Sequence, residues 1–226
     1  MGWLNPLLIP SPWSIVKVGL SLENWRGIGT DLAYSCGRLG LGFAIGSFVG
    51  LSIGVAMGRS KKIYQMLEFL VDFFRSIPVA ALFPLFIVLL GIGELSKVSI
   101  IAWSSSLIVL INTMYGVHSC SRIRQRFAQT LRATRFQLLR TIIIPESMPS
   151  IFAGFRTGIS IALIVVILTE MFFGASSGLG YRIFSASLLY NTEEMYFCIV
   201  LTGLLGYVLN QGLVRIERYA LRWNLG

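Results

Sequence analysis

Apolar residues gather in five runs along this chain, at about Asp31–Met57, Ile63–Leu90, Leu95–Val117, Ile151–Gly174 and Tyr196–Leu213, and charged residues fall mostly between them. A hydrocarbon core about 30 Å thick is crossed by roughly 20 helical residues. The pattern therefore predicts an all-α, polytopic membrane protein of about five transmembrane helices. Thr30 suits the N-cap of the first helix, and Gly58, before Arg59-Ser60-Lys61-Lys62, suits the residue just past its end. Residues 1–30 supply no clean span, because Pro6, Pro10, Pro12, Lys17, Glu23 and Arg26 interrupt them. They read as an N-terminal interfacial segment, with Trp3, Trp13 and Trp25 at headgroup level. The start, Met1-Gly2-Trp3-Leu4, has neither the basic region nor the cleavage site of a secretory signal.

One polar segment has a period of its own. Between the third and fourth runs, Arg122 to Pro149 carries six arginines (Arg122, Arg124, Arg126, Arg132, Arg135, Arg140) and no acid before Glu146. Phe127, Leu131, Leu138 and Ile142 recur there at helical spacing. A basic loop lying on anionic lipid and a docking surface with a charged and an apolar side both fit this pattern. Pro145 is expected to end the helical run beside the membrane, with Pro149 opening the next span.

Within the runs, Gly42, Gly46, Gly50, Gly54 and Gly58 repeat every four residues, a stripe along which another helix backbone can approach. The second run is expected to bend at Ser76-Ile77-Pro78 and again at Pro84. Glu68, Asp72 and Arg75 share one face of it and either pair locally or border a pathway. Gly91-Ile92-Gly93-Glu94 reads as a turn. Glu170, near the far end of the fourth run, either faces protein or water inside the bundle or reaches the headgroup zone. The three cysteines, Cys36, Cys120 and Cys198, form no CxxC pair and read as reduced packing residues without metal.

Composition excludes a soluble domain: 55% of the 226 residues are hydrophobic and 13% charged, with a mean hydropathy of +0.74. The net charge of +9 reports topology and not nucleic-acid binding, since the basic residues sit in short loops. Arg59, Lys61, Lys62, the six loop arginines, Arg215, Arg218 and Arg222 lie on one side, against Lys17, Arg26, Lys97 and Arg182 on the other. Arg38, Arg75 and Arg156 are left out of this comparison as lying near span ends. The loop and the C-terminus, with its basic tail to Trp223, are thereby assigned to the cytoplasm, and the N-terminus to the outside.

Five strings carry a resemblance over nearly the whole chain. They are PSPWSIVK (Pro10–Lys17), FFRSIPVAALFPLFI (Phe73–Ile87), GIGELSK (Gly91–Lys97), RFAQTLRATRFQLLRTIIIP (Arg126–Pro145) and TEMFFGASSGLGY (Thr169–Tyr181). Together, in this order, they resemble the permease subunits of binding-protein-dependent ABC importers, in the nitrate, sulfonate, taurine and bicarbonate branch. That family's cytoplasmic loop runs Glu-Ala-Ala, then a Gly, then Ile-x-Leu-Pro. Aligned on Pro145, Ile142 and Ile144 take its hydrophobic end and Ala128 its second Ala, while Arg126 stands for the Glu and Arg132 for the Gly. Arg132 thus occupies a position suited to a positive φ, so the turn is expected either to be built differently or to couple weakly. Most relatives also carry one more span before the PSP motif.

The resemblance implies a type I ABC importer permease fold, with a transmembrane domain over 31–226 and a coupling loop over 118–150. It implies a second permease, identical or paralogous, two ATP-binding subunits, an extracytoplasmic solute-binding protein, membrane lipid and no nucleic acid as partners, in a bacterial cytoplasmic membrane. ATP and Mg belong to the ATPase, since this chain has no P-loop lysine motif and no cofactor of its own. Arg126, Phe127, Ala128, Leu131, Arg132, Ala133, Arg135, Leu138, Ile142 and Pro145 are the implied ATPase-coupling residues. Arg75, Ser76, Pro78 and Glu170 are placed near the translocation path, and Gly42, Gly46, Gly50 and Gly54 at helix packing. The alternatives are a non-transporting membrane scaffold and a degenerate permease in a heteromeric complex. A membrane enzyme is disfavoured by the single histidine, His118, and a secondary transporter by the lack of internal repeats.

Overall fold

The computed structural model describes residues 10–20 and 22–222; Trp3, Pro6 and Trp223 lie outside them. The order is α1 (Pro12–Leu20), α2 (Leu22–Arg59), α3 (Lys61–Ser76), a 3₁₀ turn (Val79–Leu82), α4 (Phe83–Leu90), α5 (Glu94–His118), α6 (Arg122–Thr130), α7 (Arg135–Leu138), a π turn (Leu139–Ile143), α8 (Ile144–Phe172), α9 (Leu179–Leu188) and α10 (Thr192–Ala220). No strand occurs among the described residues. Four helical stretches, Gly27–Arg59, Glu94–His118, Arg135–Phe172 and Thr192–Ala220, are long and apolar enough to cross a membrane. The pair Lys61–Ser76 and Val79–Leu90, bent by 95°, makes a fifth if it is one span.

Several boundaries differ from the sequence expectation, each for a local reason. The helix of the first span starts at Leu22, so Thr30 lies inside it and its hydroxyl donates to the Gly27 carbonyl (2.7 Å). The extra turns are held from outside the helix: the Trp25 indole N–H donates to the Gly19 carbonyl of α1, and its ring meets Phe197 of α10 edge-on at 6.2 Å. Gly58 likewise remains helical, and it is Ser60 that breaks the chain, capping α3 by accepting from the Ile63 N–H (3.4 Å). The bend at Pro78 occurs where expected, because the residue before a proline avoids the helical region and Ile77 is extended (φ −81°, ψ 123°). Pro84 causes no second bend. It falls in the first turn of α4, where its missing N–H would have had no partner anyway.

Pro145 does not stop a helix either. The chain stays helical from Arg135 to Phe172, because the wider π turn just before Ile144 replaces the bond pattern that the proline cannot join; the Ile144 N–H bonds the Leu139 carbonyl. Arg156 consequently lies well inside α8 and not near a span end. The Gly91 turn forms as expected, at φ +79°.

The glycine stripe meets α5 of this same chain. A Cβ on Gly42 would sit 3.1 Å from the Val98 carbonyl, on Gly54 2.7 Å from the Leu110 carbonyl and on Gly58 2.8 Å from the Met114 carbonyl; one on Gly46 or Gly50 would collide with the Ala102 or Ser106 carbonyl. Glycines and carbonyls both advance in steps of four, so the two helices run in the same direction with their backbones in near contact. Gly50→Leu should therefore insert normally, since the span becomes no less apolar, yet force α2 off α5. Its melting temperature in detergent is expected to fall sharply against Gly40→Leu, a site with open space around it; equal melting would sink this account.

α8 packs on the other side of α5, where Ile100, Ile101, Ile159 and Val166 join Leu39 and Phe173 in the largest buried cluster. By contrast α3 buries no residue and α10 buries only Cys198. Their apolar outer faces, such as Phe69 and Phe73 or Leu204 and Val208, stay exposed in the single chain.

Candidate functional site

The arginine-rich segment folds into two short helices joined by a left-handed residue. α6 closes with the Ala133 N–H donating to the Ala128 carbonyl (3.0 Å) around Arg132, whose φ is +57°. This is the bond that terminates a helix at a C′ residue, where glycine is favoured because it has no Cβ. The arginine takes that conformation all the same, so the turn is built as a glycine would build it. Thr134 then caps α7, accepting from the Gln137 N–H (3.3 Å) while the Gln137 side chain accepts from the Thr134 N–H (2.8 Å).

Because Arg132 reverses the backbone, the apolar positions do not share one face. Phe127 and Leu131 are exposed (66% and 68%), whereas Leu138 is 9% exposed and packs with Val117, Cys120, Ala128 and Ile143, with Ile142 and Ala133 at the edge. Phe136, which the sequence reading passed over, is 68% exposed instead. Ile123 adds a fourth exposed apolar residue, and Arg126, Arg132, Arg135 and Arg140 surround the group in solvent. The inward cluster seats the segment on the bundle. Glu146 of α8 accepts from the Ser121 N–H (2.8 Å) and from Arg124 (2.7 Å), and Arg59 donates to the Arg135 carbonyl (3.3 Å). Burial, aided by Glu146, pushes the Cys120 thiol up to about 11, so this cysteine stays neutral.

At the opposite end a chain of ion pairs gathers residues far apart in sequence. Glu170, 1% exposed, accepts from Arg38 (2.7 Å), from the Ser35 hydroxyl (2.8 Å) and from the Gly180 N–H (2.9 Å). Arg38, 4% exposed, also donates to both oxygens of Glu94 (2.6 and 2.7 Å) and to the Ser177 carbonyl (2.7 Å). Asp31 accepts from the Gly178 N–H (2.7 Å) and from Arg182 (2.6 Å), which in turn reaches Glu194 (2.6 Å). The glycines of the GASSGLGY loop thus bring its backbone N–H groups onto carboxylates of α2 and α8. A Cβ at Gly178, whose φ is +119°, would collide with the Glu170 carboxylate. Partial burial lowers the Arg182 pKa, but Asp31 and Glu194 outweigh it and hold the group above its ordinary value. Glu170 is enclosed on every side within this chain. The sequence reading missed Ser35 and Arg38 as its partners and Asp31 and Arg182 as the pair beside them; the charges at the start of the first run were the one available signal.

Arg75 and Ser76 end α3 just before the Pro78 bend. Arg75 is 56% exposed and pairs with Asp72 (3.2 Å), Ser76 donates to the Asp72 carbonyl (2.8 Å), and Glu68 accepts from Tyr64 (2.6 Å). Of the two readings open for this face, Asp72 and Arg75 make the local pair, Glu68 is held by Tyr64 instead, and the structure does not bring Arg75 near Glu170.

Residues 32–220 match the family model of the binding-protein-dependent transport system inner membrane component. The chain belongs to this family. Among its relatives, a putative ABC transporter permease protein of Methanocaldococcus jannaschii is 32% identical, over 97% of this chain and 84% of its own. The putative aliphatic sulfonates transport permease protein of Bacillus subtilis is 30% identical, over 99% and 80%. The taurine transport system permease protein of Escherichia coli is 28% identical, over 98% and 82%. In fold, the chain resembles a subunit of a methionine ABC transporter solved in inward-facing conformations, with a TM-score of 0.68 at 22% identity, over 93% of this chain and 98% of that one. This permease is accordingly a multi-pass membrane subunit of an ABC importer and not an enzyme; ATP hydrolysis belongs to a separate subunit.

Proposed function

We propose that this permease is one of two that enclose a path for a small anionic solute, and that it engages the ATPase through α6 and α7. The observation that carries the reading is the loop itself: Ile123, Phe127, Leu131 and Phe136 remain exposed on a segment anchored to the bundle by its other face. Apolar side chains set among arginines at a membrane edge suit a protein groove. Two permeases and two ATP-binding subunits, with ATP and Mg held by the latter and a solute-binding protein outside, complete the assembly. The relatives whose names include taurine, aliphatic sulfonates and nitrate transport support a solute with an anionic group, which in taurine is a sulfonate beside an ammonium. Arg75, Ser76 and Pro78 border the path at the α3 bend, while Glu170 closes the outer end of the bundle against the loop 174–180.

In this orientation the arginine-rich loop and the C-terminus are cytoplasmic and the N-terminus is outside, in the bacterial cytoplasmic membrane. Single cysteines in a background lacking Cys36, Cys120 and Cys198 check it. An impermeant maleimide should label Ile92→Cys and Glu193→Cys on intact cells, and Arg124→Cys and Arg218→Cys only once the membrane is opened. Labelling of Arg124→Cys from outside would invert the topology. Uptake of radiolabelled taurine, or of nitrate, by the assembled transporter in liposomes tests the solute class.

A further inference from the structure

Of the three arginines Arg38, Arg156 and Arg182, Arg156 has the longest contacts to its partners. It stands ten residues along α8 from Glu146 and fourteen before Glu170, about 15 and 21 Å by helical rise. Since Glu146 marks the loop end of the bundle and Glu170 the opposite end, the guanidinium lies within the depth of the hydrocarbon core. An ionised side chain there is costly unless it faces protein, water or an ion. Arg38 and Arg182 meet that cost with contacts at 2.6–2.7 Å to two carboxylates each. Arg156 does not: its Nε donates to Asn210 Oδ1 at 3.3 Å, and its nearest carboxylate, Glu217, is 3.7 Å away.

The space in front of it is mixed, with polar side chains set beside Ala153 and Gly206. An open groove of about 580 Å³ between α8 and α10 is lined by Arg156, Thr157, Ser160, Gly206, Tyr207 and Asn210. Thr157 and Ser160 donate their hydroxyl protons to the Ala153 and Arg156 carbonyls (3.1 and 3.0 Å). The Arg156 Nη groups, the Asn210 Nδ2 and the Tyr207 hydroxyl remain as donors, and among the described residues none of them holds a hydrogen bond. The groove lining contains no acid. Glu217 lies seven residues beyond Asn210 on α10, towards the loop end.

We propose that this groove is the site where the anion is held inside the membrane. This rests on the reading of the solute as a small anion, and it names the residues that would take it. The two Nη groups of Arg156 present parallel N–H donors, which match two oxygens of a sulfonate or of nitrate. Asn210 Nδ2 and the Tyr207 hydroxyl supply the next donors across the groove. Glu217 attracts the guanidinium when the groove is empty and repels an anion when it is full, so it favours release. The depth argues against a lipid phosphate as occupant, because headgroups lie at the interface.

The test uses the assembled transporter in phosphatidylcholine nanodiscs, which carry no anionic lipid, with Ser160→Cys in a permease lacking Cys36, Cys120 and Cys198. Two methanethiosulfonates of similar size are compared, one bearing a sulfonate and the other a trimethylammonium. With each rate divided by that reagent's rate with free cysteine in solution, the sulfonate reagent is expected to react faster by about tenfold, the scale of a charge-assisted hydrogen bond. Arg156→Met should erase the preference and Arg156→Lys should keep part of it. Equal rates with Arg156 in place would overturn the proposal, and so would preference for the cation. In liposomes, Arg156→Met should lower taurine or nitrate uptake about tenfold or more, with the complex recovered at its usual stoichiometry. Uptake at the parental rate would overturn the proposal, as would failure of this variant to assemble, which would make the groove a subunit interface. A parental transporter that moves neither probe yet shows the reagent preference would refute the anionic-solute reading and leave the anion groove standing.

Discussion

Leu131→Glu is expected to strip the ATPase from this permease while leaving the chain folded in the membrane. Leu131 is 68% exposed and supports nothing in the bundle, so the substitution removes no internal contact. A carboxylate seated in an apolar groove must instead shed its water, at a cost of several kcal/mol, enough to undo a docking contact. Co-purification of the ATPase through a tag on the permease measures the loss, and solute-stimulated ATP hydrolysis in liposomes should fall with it. Arg132→Gly is the paired control. A β-carbon at φ +57° costs about 1–2 kcal/mol, which glycine relieves, while the more flexible unfolded chain returns about half of it. The loop should keep its shape and the ATPase should stay bound. Retention of the ATPase and of full turnover by Leu131→Glu would show that this segment is not the coupling element. Loss of the ATPase from Arg132→Gly would show that the Arg132 charge is itself a contact.

The second large effect is expected at the opposite end. Arg38→Met leaves Glu170 enclosed without its cation, and Glu170→Leu leaves Arg38, Ser35 and the Gly180 N–H without a shared acceptor. Breaking a buried pair from one side costs about 3–5 kcal/mol, because the remaining partner keeps its desolvation penalty. Each single variant should therefore lower the melting temperature of the purified permease markedly. Arg38→Met combined with Glu170→Leu should lose less than the sum of the two, since no buried charge is then orphaned between them. Thermal unfolding in one detergent gives all four values of the cycle. Strict additivity would mean that the contact contributes nothing to stability. Gly178→Ala offers an independent probe, since its Cβ would collide with the Glu170 carboxylate and free the loop from the helices.

Much of this architecture can be read along one dimension. Span number, the amphipathic basic loop, the glycine repeat and the bend at Pro78 each follow from a period or from a residue with restricted backbone angles. Both kinds of signal are local: burial imposes a period on the residues of one helix, and proline restricts its own N–H and its neighbour. The family, too, is legible in five short strings. The limits lie where local rules compete with packing. Thr30 and Gly58 have the chemistry of helix ends, yet Trp25 docking on α1 and α10 and the Ser60 cap move those ends outward. Pro145 has the chemistry of a stop, and a π turn carries the helix past it.

What the sequence determined by itself was therefore a basic-looped bundle of about five apolar helices with a close-packing stripe on the first. Tertiary structure alone decided what that stripe touches, which loop residues turn outward, and which charges meet. A single left-handed residue, Arg132, separates Phe127 and Leu131 from Leu138, although their spacing suggests one face. Glu170 finds Arg38 across 132 positions and Ser35 across 135, whereas Arg156 is left facing an open groove. Periodicity records how each helix relates to its own apolar side. It does not record rotation of one helix against another, and it is that rotation which pairs a charge closely or leaves it loosely held.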